Sequence, residues 1–281
     1  MTAEAKTKVY GEEDPELTAT VSGLRNGDAE NVINYNINRV PGENVGYYNI
    51  VVSGSAVQGN YDVTYIPAVM TITRAIATVT AEDKTKVYGD ADPSFTAVVS
   101  GLQNGDAESV IVYALSRTAG EDIGSYTIMP SGNAVQGNYE VNYMPATLTV
   151  TRAMAVVTAD NMTKVYGDAD PVLTATVTGL KNGDMDNIFT YALSRVSGES
   201  IGDYVITASG AEIQGNYTVT YATGVLTVTK ATAIVTADAK TKVYGDADPE
   251  LTATVTHGRS SRRNSRKSWS SSRGNPARSH R

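Results

Sequence analysis

Between residues 75 and 152, Thr, Val and Tyr alternate with small or polar residues in the runs ATVTAED, SFTAVVSGL, VIVYALSR, GSYTIMPSG and YEVNYMPATLTVT. A period of two predicts strands with one buried face. Turn-forming clusters separate the runs: GDADP at 89–93, QNGD at 103–106, AGED at 119–122 and QGNY at 136–139. Gly supplies positive φ there, and Asp and Asn bond their own backbone. Only DAESVI, at 106–111, suits a helical turn.

The same pattern recurs along the chain. The tyrosine of the VYG phrase stands at Tyr10, Tyr88, Tyr166 and Tyr244, always 78 residues apart. Pro15, Pro93, Pro171 and Pro249 keep that step, as do Gln58, Gln136 and Gln214. A fixed period means one folding unit in tandem, expected at 1–74, 75–152 and 153–230, with a truncated fourth unit at 231–256. In ATLTVTRAMAVVTAD (146–160) the apolar positions change phase from Leu148 and Val150 to Ala155, Val157 and Ala159. A one-residue phase change sends side chains to the opposite face. The chain is therefore expected to leave one sheet and enter another near Arg152-Ala153, and likewise near Arg74-Ala75 and Lys230-Ala231. Junctions this short restrict swivelling, so the expected architecture is mainly β: small modules in an elongated, semi-rigid rod, each a β-grasp-like unit or an Ig-like β-sandwich. Strands of about ten residues rising ~3.3 Å each put a unit at roughly 30–40 Å.

Composition divides at Thr256. Residues 257–281 hold eight of the 23 basic residues and no acid, which leaves the repeats with 15 basic against 30 acidic residues. An acidic array does not draw nucleic acid or anionic membrane to itself. The absence of Cys excludes a disulfide framework, and no apolar run is long enough to span a membrane. The opening MTAEAKTKVYG enters the repeat directly, without the pattern of a signal peptide. The basic tail, with both histidines (His257 and His280) and the single Trp269, begins in the middle of an apolar strand. This abrupt change reads as a frameshift in a longer array, with the tail disordered and 231–256 poorly packed. The other reading of the tail is an arm that binds phosphate nonspecifically.

In order, VYG, DADP, a GL.NGD turn, YALSR..GE.IG.Y and QGNY.V.Y...LTVT make a unit that resembles the MBG domain, YGX type. The resemblance covers 1–256, with Glu12-Glu13-Asp14 replacing the usual GDAD in the first copy. It implies a β-grasp-like module found in tandem in large bacterial surface and adhesin-like proteins. An extracellular, non-enzymatic spacer or adhesive stalk follows, with flanking repeats as partners and a host or cell-surface protein or glycan as further ones. The family brings no catalytic residues.

Candidate chemistry is sparse. Acid–base and nucleophilic work usually draws on His or Cys, and with both histidines in the tail and no Cys a carboxylate pair is the candidate that remains. The pairs Asp90 with Asp92, Asp168 with Asp170 and Asp246 with Asp248 suggest calcium, which takes six to eight oxygen ligands. The competing reading is that they shape a turn. Arg39, Arg117 and Arg195, each four residues before Glu43, Glu121 and Glu199, suit pairing across a turn; an exposed pair contributes ~0–1 kcal/mol. Tyr61, Tyr139 and Tyr217, with Tyr65, Tyr143 and Tyr221, lie on one strand face and suit packing more than stacking on a sugar. Lys86 and Asn138 are the residue types of a Lys–Asn isopeptide crosslink.

Overall fold

A computed structural model describes residues 1–257; the tail from 258 onward, and with it the disorder and phosphate-binding expectations, lies outside the described residues. The chain divides into two compact units, Met1–Arg152 and Ala153 onward.

In the first unit, residues 75–151 form two four-stranded sheets. One has the order Ala97–Ser100, Ala75–Ala81, Tyr139–Met144, Val135–Gln136; the other Lys84–Val87, Ala146–Thr151, Gly124–Ser131, Ala114–Arg117. The alternation predicted from Thr, Val and Tyr is met on both. Ala75, Ala77, Val79, Ala81, Tyr139 and Val141 are buried from the first sheet, and Ile128, Leu148 and Val150 from the second. The module is thus a two-layer sandwich. Among the described residues the only helical elements are three 3-10 turns; one of them, Glu108–Val110, falls where a helical turn was expected. Among the described residues no helix lies across a sheet, and of the two arrangements left open by the sequence the strands form the Ig-like sandwich.

Each sheet contains one parallel pair. Ala75–Ala81 runs parallel to Tyr139–Met144, from Tyr139 beside Ala75 to Met144 beside Thr80. Lys84–Val87 runs parallel to Ala146–Thr151, from Leu148 beside Lys84 to Thr151 beside Val87. The chain therefore passes between the two sheets from one parallel-paired strand to the next, first between Ala81 and Lys84 and again between Met144 and Ala146. The second crossing falls at Pro145, whose missing N–H cannot continue a ladder.

Residues 1–74 repeat the second sheet as Lys6–Val9, Ala68–Thr73, Gly46–Ser53, Asn36–Arg39. The counterpart of the first sheet is reduced to the pairs Thr2–Ala3 with Ala19–Thr20 and Val57–Gln58 with Tyr61–Asp62, joined by a bridge from Thr2 to Ile66. At Arg74-Ala75 the buried set passes from Met70 and Ile72 to Ala75 and Ala77, and the chain enters a new sheet there.

The second unit repeats the sandwich. One sheet is Ala175–Thr178, Ala153–Ala159, Tyr217–Ala222, Ile213–Gln214, and the other Met162–Val165, Gly224–Thr229, Gly202–Gly210, Tyr191–Arg195. Of the fourth copy, Ala233–Ala237 pairs antiparallel with Ala253–His257 as a two-stranded hairpin whose first strand is exposed throughout.

Candidate functional site

The most constrained polar feature of each copy starts from a lysine on the wrong face of a strand. In Lys84–Val87 the alternation turns Lys86 inward, and it is buried while Val87 is exposed. A buried ammonium needs partners for its three hydrogens. Lys86 Nζ donates to Asp92 Oδ1 at 2.7 Å, to Glu121 Oε2 at 2.6 Å and to the Asp90 carbonyl at 3.2 Å. Arg117, the last residue of its strand, closes the ring from the other side. Its Nε donates to Asp92 Oδ2 at 2.5 Å and its Nη2 to Glu121 Oε1, while Nη1 reaches the carbonyls of Thr118 and Gly120. Both cations are sealed, with side-chain exposures of 3% and 11%, and the carboxylates keep one side toward water.

The guanidinium also lies over the Tyr126 ring, 5.5 Å from its centre. That stacking needs a residue without a side chain at 120. A Cβ on Gly120 would come within 2.1 Å of Tyr126 Cε1, and its φ of +145° is one that L residues rarely adopt.

The ring recurs with the same members 78 residues away in each direction. Lys8 meets Asp14 at 2.7 Å and Glu43 at 2.6 Å, with Arg39 on both acids and over Tyr48. Lys164 meets Asp170 at 2.6 Å and also Glu199, with Arg195 on both acids and over Tyr204. The sequence had offered the Arg–Glu pairs as exposed links across a turn. They do pair, as parts of a four-residue network that encloses the arginine.

Of the calcium candidates, Asp92 and Asp170 have their carboxylates in these rings, and Asp90 and Asp168 give backbone carbonyls to Lys86 and Lys164. In the fourth copy Lys242 Nζ lies 2.5 Å from Asp248 Oδ1 and reaches the Asp246 carbonyl. Each pair is thus arranged around an ammonium, and among the described residues no group of three or more His, Asp or Glu is placed to hold a metal ion. Lys86 and Asn138 have separate partners, Asn138 being engaged with the first copy.

That engagement forms a joint between copies one and two, inside the first unit. Asn138 Nδ2 donates to Asn44 Oδ1 at 3.0 Å, and its Oδ1 accepts from the Val45 N–H at 3.0 Å. Tyr10 and Tyr139 both donate to Asp106 Oδ2, at 2.9 and 2.6 Å, with their rings edge to face at 5.5 Å. Burial, and then the Asp106 carboxylate, push the Tyr139 phenol up to about 12, so it stays a donor. Asp106 itself is set by the NGD turn, where Asn104 and Gly105 have φ of +53° and +74°. The periodic tyrosines are packing residues here: Tyr139 and Tyr217 are buried, and Tyr143 bonds the Asn133 carbonyl at 3.0 Å.

The rings make a definite prediction about acid. Arg39 beside Asp14 holds its carboxyl down at about 2, Arg195 does the same for Asp170, and Arg117 lowers Asp92. Hydrogen bonds from the lysines lower Glu43, Glu121 and Glu199. For Lys86, burial acts downward but the Asp92 and Glu121 bonds outweigh it, so its net shift is upward. Carboxyls depressed on folding stabilise above their unfolded values and lose that stabilisation as pH falls through the folded ones. Thermal midpoints should therefore be level near neutrality and fall between about pH 4 and pH 2. A midpoint flat across that window would show that the carboxylates do not contribute.

The repeated sandwich, its ring and its side-chain joint define a tandem-repeat β protein. The chain belongs to the MBG domain (YGX type) family, whose model matches residues 1–71, 77–149, 155–227 and 233–270. Among solved structures it is similar to Drosophila N-cadherin EC1-4, at 6% identity over 75% of this chain and 68% of that one, with a TM-score of 0.23. Mouse cadherin-23 EC22-24 is similar at 12% identity over 80% and 95%, with a TM-score of 0.26. No curated protein matches the chain. Among the described residues no helix is long and apolar enough to cross a membrane.

Proposed function

We propose that this chain is a non-catalytic, tension-resisting spacer: a stalk segment of an extracellular, bacterial surface-type repeat protein that separates or presents other domains. One observation carries the reading. In each copy the second strand and the last, by which the chain leaves the sandwich, lie side by side and parallel: Lys6–Val9 with Ala68–Thr73, Lys84–Val87 with Ala146–Thr151, and Met162–Val165 with Gly224–Thr229. Tension along the chain pulls such strands in opposite directions along their length. All the hydrogen bonds between them are loaded together, rather than one after another as in a hairpin opened from its end. The Lys–Asp–Arg–Glu ring supports this, since its lysine sits on that second strand and its arginine on the far edge strand of the same sheet. The joint through Asn138 and Asp106 limits swivelling between copies one and two.

The test is to stretch the whole chain by its two ends in a single-molecule instrument. Three unfolding steps are expected, one releasing the 74 residues of the first copy and two releasing 78 each, every step roughly 250 Å of extended chain. Smooth extension at low force, without steps, would reject the proposal.

A further inference from the structure

Each copy joins the aspartate that meets its lysine directly to a proline: Asp14-Pro15, Asp92-Pro93, Asp170-Pro171 and Asp248-Pro249. The pair is kept where its surroundings change, since the first copy has Glu12-Glu13 where the second has Asp90-Ala91. The proline fixes φ in the turn and the carboxylate belongs to the ring, but their adjacency adds a chemical property that neither role uses. An aspartate carboxylate can close on its own main-chain carbonyl carbon to give a cyclic anhydride, and proline, bonded through a tertiary amide, is the residue whose nitrogen leaves most readily. Asp92 is set up for this step. Its oxygens offer about four lone-pair sites; Lys86 and Arg117 occupy two on Oδ1, and Arg117 occupies one on Oδ2. Arg117, and then Lys86, hold the carboxyl in its ionised, nucleophilic form. An acceptor for the acyl group lies alongside: Lys86 Nζ is 2.7 Å from Asp92 Oδ1 and 2.6 Å from Glu121 Oε2, a base in reach of its proton. Copies one and three place Lys8 with Glu43, and Lys164 with Glu199, about Asp14 and Asp170 in the same way.

We infer that Asp92-Pro93, and likewise Asp14-Pro15 and Asp170-Pro171, is a self-cleavage site at which the lysine of the ring takes the aspartyl group over from the proline. Asp92 Oδ2 attacks its own main-chain carbonyl carbon. The C–N bond to Pro93 breaks, and its electron pair leaves with the proline nitrogen. Lys86 then gives a proton to Glu121, and its nitrogen attacks Cγ of the anhydride, the carbon it already faces across Oδ1. The anhydride opens: an amide joins Lys86 to the Asp92 side chain, and the main-chain carbonyl becomes a carboxylate. Lys86 loses two protons and the proline nitrogen gains two, so no water or other reactant is consumed. Acid favours the first step by protonating the departing nitrogen, while Arg117 and Lys86 keep Asp92 ionised. The cut falls between Lys84–Val87 and Ala97–Ser100, outside every strand. The inference stands apart from the spacer reading and does not depend on it.

The test is to hold the full-length chain between about pH 4 and 5, above the range in which the ring acids titrate, and to follow it by denaturing gel and intact mass. The expected result is fragments beginning at Pro15, Pro93 and Pro171, formed several-fold faster than in urea, where the ring is dispersed. Their masses together should equal that of the parent, with no water added. Pro93→Ala leaves the ring in place and should abolish the cut after Asp92 while the cut after Asp170 persists. Lys86→Arg keeps the charge but offers no acceptor, so the fragments from that site should gain one water between them. An intact chain, cleavage as fast in urea, or fragments of the unaltered chain that already carry the added water would each overturn the inference.

Discussion

A chain carrying Leu148→Ala should lose about 3–5 kcal/mol from its second copy, the largest effect expected of any single truncation. Leu148 has no exposed surface and sits in the strand flanked by Lys84–Val87 on one side and Gly124–Ser131 on the other. Both flanking strands hold its backbone, so the site cannot collapse to fill the void, and the cavity cost adds to the lost transfer energy. Met70 and Leu226 hold the same position in copies one and three and remain intact. Hydrogen exchange should therefore rise across residues 75–152 and stay unchanged across 153–230. Val112→Ala, at a side chain 73% exposed, serves as the comparison and should stay within about 0.5 kcal/mol of the parent. A loss below about 1 kcal/mol for Leu148→Ala would mean that the two sheets do not enclose one core.

The second large effect is expected of Arg117→Met, at about 2–4 kcal/mol, because removing one member of a buried charge network leaves the others unpaired. Arg117 supplies two bonds to Asp92, one to Glu121 and two to backbone carbonyls, and it covers Tyr126. Methionine keeps some of the stem's packing and none of these bonds. Lys86→Met should cost less, about 1–2 kcal/mol, since both carboxylates keep Arg117 and have one side in water. The order of the two variants in a denaturant titration is the informative result. If Lys86→Met proved the more damaging, the buried ammonium, and not the guanidinium, would be the centre of the ring.

Much of this architecture was legible in the sequence, and what was hidden follows a physical rule. The phase change from Met70 and Ile72 to Ala75 and Ala77 announced the passage from one sheet to another, because burial on one face fixes register. The same signal was present inside the copy, where Tyr139 and Val141 give way to Leu148 and Val150 across Pro145. YEVNYMPATLTVT reads as one strand because it has no Gly and its single Asn, Asn142, keeps the alternation. The ring was hidden for a different reason. Asp92 stands two residues from Asp90, and proximity in sequence suggested a shared ligand. Folding instead separates their roles and brings the Asp92 carboxylate to Arg117, 25 residues away, and to Lys86. One clue was local: the alternation in KTKV turns a lysine inward and a valine outward, an arrangement that demands carboxylates beside the ammonium. The joint had no such clue, since Asn138 finds Asn44 only once two copies are set side by side.

The parallel pairing of the second and last strands of each copy is central, and the direction of force tests it. The second copy would be pulled through residues 83 and 152, which shears Lys84–Val87 against Ala146–Thr151, and then through residues 113 and 132, which opens the hairpin of Ala114–Arg117 and Gly124–Ser131 from its end. The account predicts a clearly higher rupture force in the first geometry than in the second. Equal forces in both, or a weaker first geometry, would contradict it.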